Sequence, residues 1–303
     1  RTLGPCRNCI ADAGVTVEQI DEVVLVGGST RIPMVRNAVA ALFRAQPHSE
    51  LNPEEVVALG AAVQAGILAG SVEGSLLLDV TPLSLGIETM GGVVSRLIHR
   101  NSTIPASATE TFTTAVDGQT NVLIHVLQGE RELVEDCRSL ARFDLKGIDP
   151  APAGLARIEV RFLIDANGIL NVTARDARTG RQQSVEVKPT YGLSDQQVEA
   201  MIAESIDFAE RDFEARQVRE AQVEADAILA AVEKAKREDS WNALSDQERQ
   251  LISLAVNHLL VVYHAGDHLL IREKIEQLNQ ATVKLAEEMM NRAVRGALKG
   301  TKL

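Results

Sequence analysis

The sequence predicts a multidomain chain with an α/β unit first, an antiparallel β region next and an α-helical region last. Two observations carry this reading. All nine prolines lie at or before Pro189, and after Gly192 only Gly266, Gly296 and Gly300 remain, so the last third lacks the residues that interrupt helices. The middle third instead has short alternating runs broken by Asp-Gly and Asn-Gly pairs, the punctuation of strands and tight turns. At 303 residues, 45% of them hydrophobic, the chain can bury more than one core.

The first 70 residues alternate strand and helix signals. Val23, Val24, Leu25 and Val26 form a continuous apolar run, as in a buried parallel strand. It ends at Gly27-Gly28-Ser29, and a helical pattern follows through Val35, Val39 and Leu42-Phe43. A second helix is expected from Asn52 as N-cap, with Pro53 at the first helical position, carrying Val56, Leu59 and Ile67. Gly70 and Gly74 then bracket a short link ending in Leu76-Leu77-Leu78-Asp79.

Residues 80–190 read as β. Ile158, Val160, Phe162 and Ile164 alternate onto one face, Asp165-Ala166-Asn167-Gly168 makes a turn, and 168–174 returns as the partner strand. Asp117-Gly118 is expected to join 111–116 to 121–127 in a similar hairpin. Strands of this kind indicate an antiparallel sandwich or barrel. Beyond residue 190, Ser194 with Gln197 and Ser245 with Glu248 are capping boxes, and Asp267 can cap a last helix. That helix repeats Ile271, Ile275, Leu278, Thr282, Leu285 and Met289 at bundle spacing.

A net charge of −11 argues against nucleic acid as a partner, because phosphate binding needs a basic surface. The longest apolar stretches, near 76–78 and 259–263, are too short to cross a bilayer, and residues 1–6 lack a signal-peptide core. The expectation is a soluble cytoplasmic protein without membrane contact. Three cysteines make no disulfide framework, and Cys6-Arg7-Asn8-Cys9 lacks the further ligands of a zinc site. No phosphate loop, dinucleotide fingerprint or nucleophile motif is present, so no catalytic residues and no metal site are assigned. His264 and His268 are separated by Gly266 and followed by no metalloprotease glutamate, and His125 in its alternating strand reads as packed or exposed. Gly27-Gly28-Ser29, between strand and helix, suits close approach of a nucleotide, although a glycine turn in any α/β unit has the same look.

Longer blocks are more specific. The runs Val24 to Pro33 (VLVGGSTRIP) and Asn52 to Ala62 (NPEEVVALGAA) resemble the closing segment of the actin-like ATPase domain of DnaK-type (seventy-kilodalton heat-shock) molecular chaperones. Leu76 to Gly92 (LLLDVTPLSLGIETMGG) resembles that family's interdomain linker and first β-segment, and HVLQGER from His125 and DANGIL from Asp165 match later strands. The blocks stand in family order, and the resemblance covers the whole chain as a C-terminal half. It implies an ATPase-domain fragment over 1–70, a linker over 71–80 (Leu76, Leu77, Leu78 and Asp79), a peptide-binding β-sandwich over 81–190 and a helical lid over 191–303.

In that family ATP binding loosens the lid and hydrolysis closes it over an extended client peptide. The resemblance places adenosine-facing positions at Gly27, Gly28, Ser29 and Arg31, with Ile32 beside them. ATP or ADP with Mg would belong to the full-length protein, and this chain should not hydrolyse ATP alone. The matching groove positions are Ile87, Thr89, Met90, Phe112, Thr113, Ala115, Gln119, Val122, Ile124 and Ile158. Met90 and Ala115 would arch over the peptide, and Val122 with Ile87, Phe112, Ile124 and Ile158 would line one side-chain pocket. From alternation alone, those apolar residues would read as plain core.

Ala153 stands where general members carry a lid-latching arginine, and Asn167 where they carry a domain-docking aspartate. ERELVEDCRSLARF from Glu130, KPTYGL from Lys188 and ALKG from Ala297 resemble the branch specialised for bacterial iron–sulfur cluster assembly. That branch implies a J-domain co-chaperone and an iron–sulfur scaffold protein gripped at a Leu-Pro-Pro-Val-Lys segment. Ala115 and Val122 are closer to a general folding chaperone, and residues 1–70 alone would also suit an actin-like sugar kinase.

Overall fold

The computed structural model describes residues 3–48, 52–71 and 79–300, which divide into two compact units between residues 77 and 78. The first unit holds helices α1 (Leu3–Asp12), α2 (Pro33–Phe43) and α3 (Val56–Leu68), with two 3-10 turns at Val17–Gln19 and Gly28–Arg31 between α1 and α2. Pro33 opens α2, where its missing N–H is no loss. The expected strand at 23–26 does not form: Val24 makes a single parallel bridge to His48, and Val24 and Val26 stay exposed. A strand is held by its neighbours, and the described residues supply one bridge. Helix α3 begins at Val56, later than expected. Residues 53–55 are a turn in which the Asn52 carbonyl accepts the Glu55 and Val56 amides, while its side chain accepts that of Glu54. Asn52 still satisfies free amides, one turn earlier than a cap would.

The second unit opens with ten strands: β1 (Asp79–Val80), β2 (Leu85–Thr89), β3 (Val93–Ile98), β4 (Thr103–Ile104), β5 (Ala106–Phe112), β6 (Asn121–Gln128), β7 (Arg138–Lys146), β8 (Ile158–Ile164), β9 (Leu170–Asp176) and β10 (Gln182–Val187). They form two four-stranded antiparallel sheets, ordered β3-β2-β6-β7 and β10-β9-β8-β5, with β1 and β4 pairing apart. The inward residues of both sheets, among them Ile87, Ile124, Val126, Leu145, Ile158, Phe162 and Val172, share one apolar core. The period-2 alternation of β8 is the physical origin of this: its even-numbered residues Ile158, Val160 and Phe162 share one face and are fully buried.

The hairpin expected at Asp165–Gly168 forms, with Asp165 accepting the Asn167 and Ile169 amides and Gly168 at φ 74°. The one expected at Asp117-Gly118 does not. β5 pairs with β8 and β6 with β2 and β7, so the segment between them crosses from one sheet to the other. Turn chemistry reports a reversal of the chain, not which strand will receive it.

Helices α4 (Asp195–Asp207), α5 (Ala209–Ala235), α6 (Asp239–Asn242), α7 (Asp246–Val262) and α8 (His268–Gly300) complete the unit. Both capping boxes form, at Ser194 and Ser245, and Asp267 accepts the Leu269 and Leu270 amides at the start of α8. A second core joins Ala221, Ala225 and Val232 of α5, Ile252 and Leu259 of α7, and Ile271, Ile275, Leu278 and Leu285 of α8. The alanines on α5 let the neighbouring backbones approach closely. His264 and His268 fall on either side of the α7–α8 break. None of the helices among the described residues is long and apolar enough to cross a membrane.

Candidate functional site

The sheets leave a cavity of about 780 Å³ bounded by β2, β3, β5, β6 and the side of α5. Nine of the ten groove positions named from the sequence line it: Ile87, Thr89, Met90, Phe112, Thr113, Ala115, Gln119, Val122 and Ile124. Ile87 and Ile124 are 3% exposed and make its floor, whereas Met90, 53% exposed, stands at its rim. Ile158 is a correction. It pairs with Phe112 across the β5–β8 ladder and is fully buried in the core, so it backs the cavity wall without lining it. Gln119 shapes the rim loop: its side-chain oxygen accepts the Ala115 amide at 2.9 Å and its nitrogen donates to the Asn121 carbonyl at 2.8 Å.

Sequence reasoning did not name the residues α5 brings. Arg216, Glu220 and Val223 add to the lining, as do Arg157, Glu88, Glu110 and His125 from the β region. Arg216 and Glu220 are four apart on a helix, which in sequence is indistinguishable from an ordinary solvated ion pair. Their place is set by a tertiary cluster. Arg216 donates to Glu132 at 2.6 Å, Arg96 donates to the other Glu132 oxygen at 2.9 Å, and Arg96 also reaches the carbonyls of Glu130 and Arg131. Burial alone would raise the Glu132 carboxyl, but the hydrogen bonds from Arg216 and Arg96 prevail and hold it below the usual carboxylate range. Beside them Arg131 grips Asp212 of α5 with two hydrogen bonds.

A second tie lies near the other end of α5, about 27 Å further along the helix. Lys234 donates to Asp117 at 2.6 Å, and the other Asp117 oxygen accepts the Ala153 amide at 2.9 Å. The hydrogen bond from Lys234, then that amide, holds the Asp117 carboxyl below its ordinary range. The loop carrying Ala153 is thus connected to α5 through Asp117 without an arginine at 153. Both partners are solvent-exposed, so Lys234→Ala should raise amide exchange in the last turns of α5 only a few-fold, with the difference shrinking in high salt. Hydrogen–deuterium exchange at two salt concentrations checks this, and unchanged exchange in those turns would show the pair to be idle.

Asn167 bonds within its own turn to Asp165 and lines a separate cavity of about 240 Å³ with Asp79 and Lys188. Of the linker residues, Asp79 opens β1, while Leu76, Leu77 and Leu78 lie outside the described residues.

In the first unit, Gly27, Gly28, Ser29, Arg31 and Ile32 fall together on one short 3-10 turn. The Gly27 amide donates to the Pro53 carbonyl, and Arg31 donates to Asn52 at 3.0 Å. Gly27 has φ 89° and open space where a side chain would stand, which suits a ligand lying against backbone. Ile32, half exposed, offers an apolar face beside it. These residues fit one side of a nucleoside. They provide neither a phosphate cradle nor, among the described residues, a carboxylate cluster for magnesium.

The family model for Hsp70 protein matches residues 1–291. The chain is 49% identical over 305 aligned residues to the chaperone protein HscA homolog of Tolumonas auensis, covering 100% of this chain and 50% of that protein. It is 48% identical to the proteins of the same description from Pseudomonas aeruginosa and Herminiimonas arsenicoxydans, again over 100% of this chain and 49% of theirs. The chain therefore spans about half the length of the curated relatives it matches.

Proposed function

This chain belongs to the Hsp70 family, and on that premise we propose that it binds extended apolar segments of client proteins for a chaperone of iron–sulfur cluster assembly. The observation that carries the reading is convergence: residues from four strands and the loops beside them, far apart in sequence, line one cavity with an apolar floor and a helical roof. An extended peptide would gain affinity from main-chain hydrogen bonds and selectivity from the pocket around Val122. Residues 1–70 are then the end of an ATPase domain, 71–80 the linker, 81–190 a substrate-binding β-sandwich and 191–303 its lid. The placement as a C-terminal half rests on the order of these blocks, since the matches give only half coverage. ATP with Mg, a J-domain co-chaperone and an iron–sulfur scaffold protein belong to the full-length protein's cycle in this reading, which is cytoplasmic and involves no nucleic acid or membrane. The Hsp70 match runs through the helices, which a sugar kinase would leave unexplained.

The test is fluorescence anisotropy with two labelled peptides, one containing Leu-Pro-Pro-Val-Lys and one generic and Leu-rich. Tighter binding of the first supports the iron–sulfur role. Comparable binding of both favours a general folding chaperone, the reading to which Ala115 and Val122 lean. Val122→Phe should fill the pocket and weaken binding at least about tenfold, because burial of one Leu or Ile side chain contributes about 1.5–3 kcal/mol. Undiminished affinity in that variant would move the site elsewhere.

A further inference from the structure

His125, in β6, is 3% exposed, yet both ring nitrogens are engaged. Nδ1 lies 2.6 Å from Glu88 Oε2 on β2, and Nε2 lies 2.8 Å from Ser139 Oγ on β7. The sheet order β2-β6-β7 sets the three side chains in a row. An ionised carboxylate only accepts, so in the neutral ring Nδ1 carries the proton and Nε2 is left to accept the Ser139 hydroxyl. This is the arrangement of a nucleophile, its base and the group that orients the base. A β-bulge makes it possible. In an unbroken β6–β7 ladder residue 140 would stand opposite Leu127, but the register shift after Val126 puts Ser139 there, on the face that carries His125.

Ser139 is exposed and opens on a second cavity of about 490 Å³, which shares His125 with the larger one and is also lined by Arg142 and Arg219. Arg142 is the cross-strand partner of His125. Among the described residues neither guanidinium has an ion-pair partner. Against these two cations the lining holds one carboxylate, Glu135, so the cavity favours negative charge. Positive charge beside a nucleophile stabilises the oxyanion that forms when a carbonyl is attacked.

We propose that Ser139, His125 and Glu88 form an acyl-transfer site that cleaves small carboxylic esters, with a preference for esters carrying a negative charge. Ser139 Oγ bonds to the ester carbonyl carbon as His125 Nε2 takes the hydroxyl proton. The carbon–oxygen bond to the alcohol breaks, and the alcohol leaves with the proton returned by His125. Water then attacks the acyl-serine by the same route, releasing the carboxylic acid and restoring Ser139. Ser139 and His125 are the catalytic residues; Glu88 positions the imidazole.

The experiment treats the chain with a fluorophosphonate probe, maps the adduct by mass spectrometry, and compares turnover of p-nitrophenyl acetate and mono-p-nitrophenyl succinate. The expected result is one adduct per chain on Ser139, none in Ser139→Ala, and faster turnover of the anionic ester. His125→Gln keeps hydrogen-bonding capacity but cannot carry the proton, and should slow adduct formation about a hundredfold. Because the adduct is mapped on the unaltered chain, the result does not hinge on a variant folding. No adduct, an adduct elsewhere, or equal turnover in Ser139→Ala overturns the site; equal rates for the two esters overturns the preference for negative charge.

Discussion

Arg131→Ala is expected to destabilise the second unit by about 3–5 kcal/mol, because it leaves the Asp212 carboxylate buried without its partner. The Arg131 side chain is 7% exposed and that of Asp212 4%. The guanidinium bonds both Asp212 oxygens, touches Asp136 at 3.2 Å and lies 4.5 Å from the Phe208 ring centroid. Arg131 follows β6 and Asp212 lies in the first turn of α5, so the pair joins the sheets to the helix that roofs the cavity. Replacing both partners together, Arg131→Met with Asp212→Leu, should recover most of the loss, since no charge is then left in the interior. Urea unfolding of the two variants beside the unaltered chain measures this. A loss under 1 kcal/mol in Arg131→Ala would mean that water reaches Asp212.

The same pair sets an acid dependence. The hydrogen bond from Arg131, working against desolvation, holds the Asp212 carboxyl below its ordinary range. A carboxyl depressed in the folded state contributes stability at pH values above its unfolded value of about 3.9, and that contribution fades as pH falls through the lower folded value. Glu132, also depressed, acts in the same direction. Melting temperature should therefore fall under acid more steeply in the unaltered chain than in the Met/Leu variant. Parallel curves would count against the pair as a source of the acid dependence.

Gly86→Ala is the second large effect. A Cβ at residue 86 would lie 2.2 Å from the Ser95 carbonyl oxygen and 3.1 Å from the Arg96 Cα, backbone atoms that cannot swing aside. Gly86 sits where the β2–β3 register shifts, with Leu85 opposite Ile98 and Gly86 opposite Arg96. To accept a methyl, β2 and β3 must separate, carrying Ile87 and Thr89 away from the cavity wall. The expected loss is about 3 kcal/mol, the upper end of the overpacking range, with weakened peptide binding. Denaturant unfolding and the anisotropy assay read the two effects. Near-native stability would show that the strands part without cost.

What the sequence determined by itself was whatever depends on neighbours along the chain. The starts of α4, α7 and α8 were legible because a capping serine or aspartate meets amides two or three residues away. The β8–β9 hairpin was legible because Asp165 and Gly168 close it locally, and the buried face of β8 because side chains alternate. The nine named positions that line the larger cavity were picked out through resemblance to a family; alternation alone would have assigned them to the core, as it does Ile158.

Tertiary structure decided the rest. Asp117-Gly118 signalled a turn, but only the packing of two sheets sent β5 and β6 to different partners. Val23 to Val26 had the composition of a strand without the neighbours to make one among the described residues. The contacts of Arg131 with Asp212 and of Asp117 with Lys234 join residues far apart in sequence, and so does the row of Glu88, His125 and Ser139. Such contacts follow from which chain segments the folded cores bring together, and spacing along the chain carries no record of that, whereas a cap or a turn is complete within a few residues.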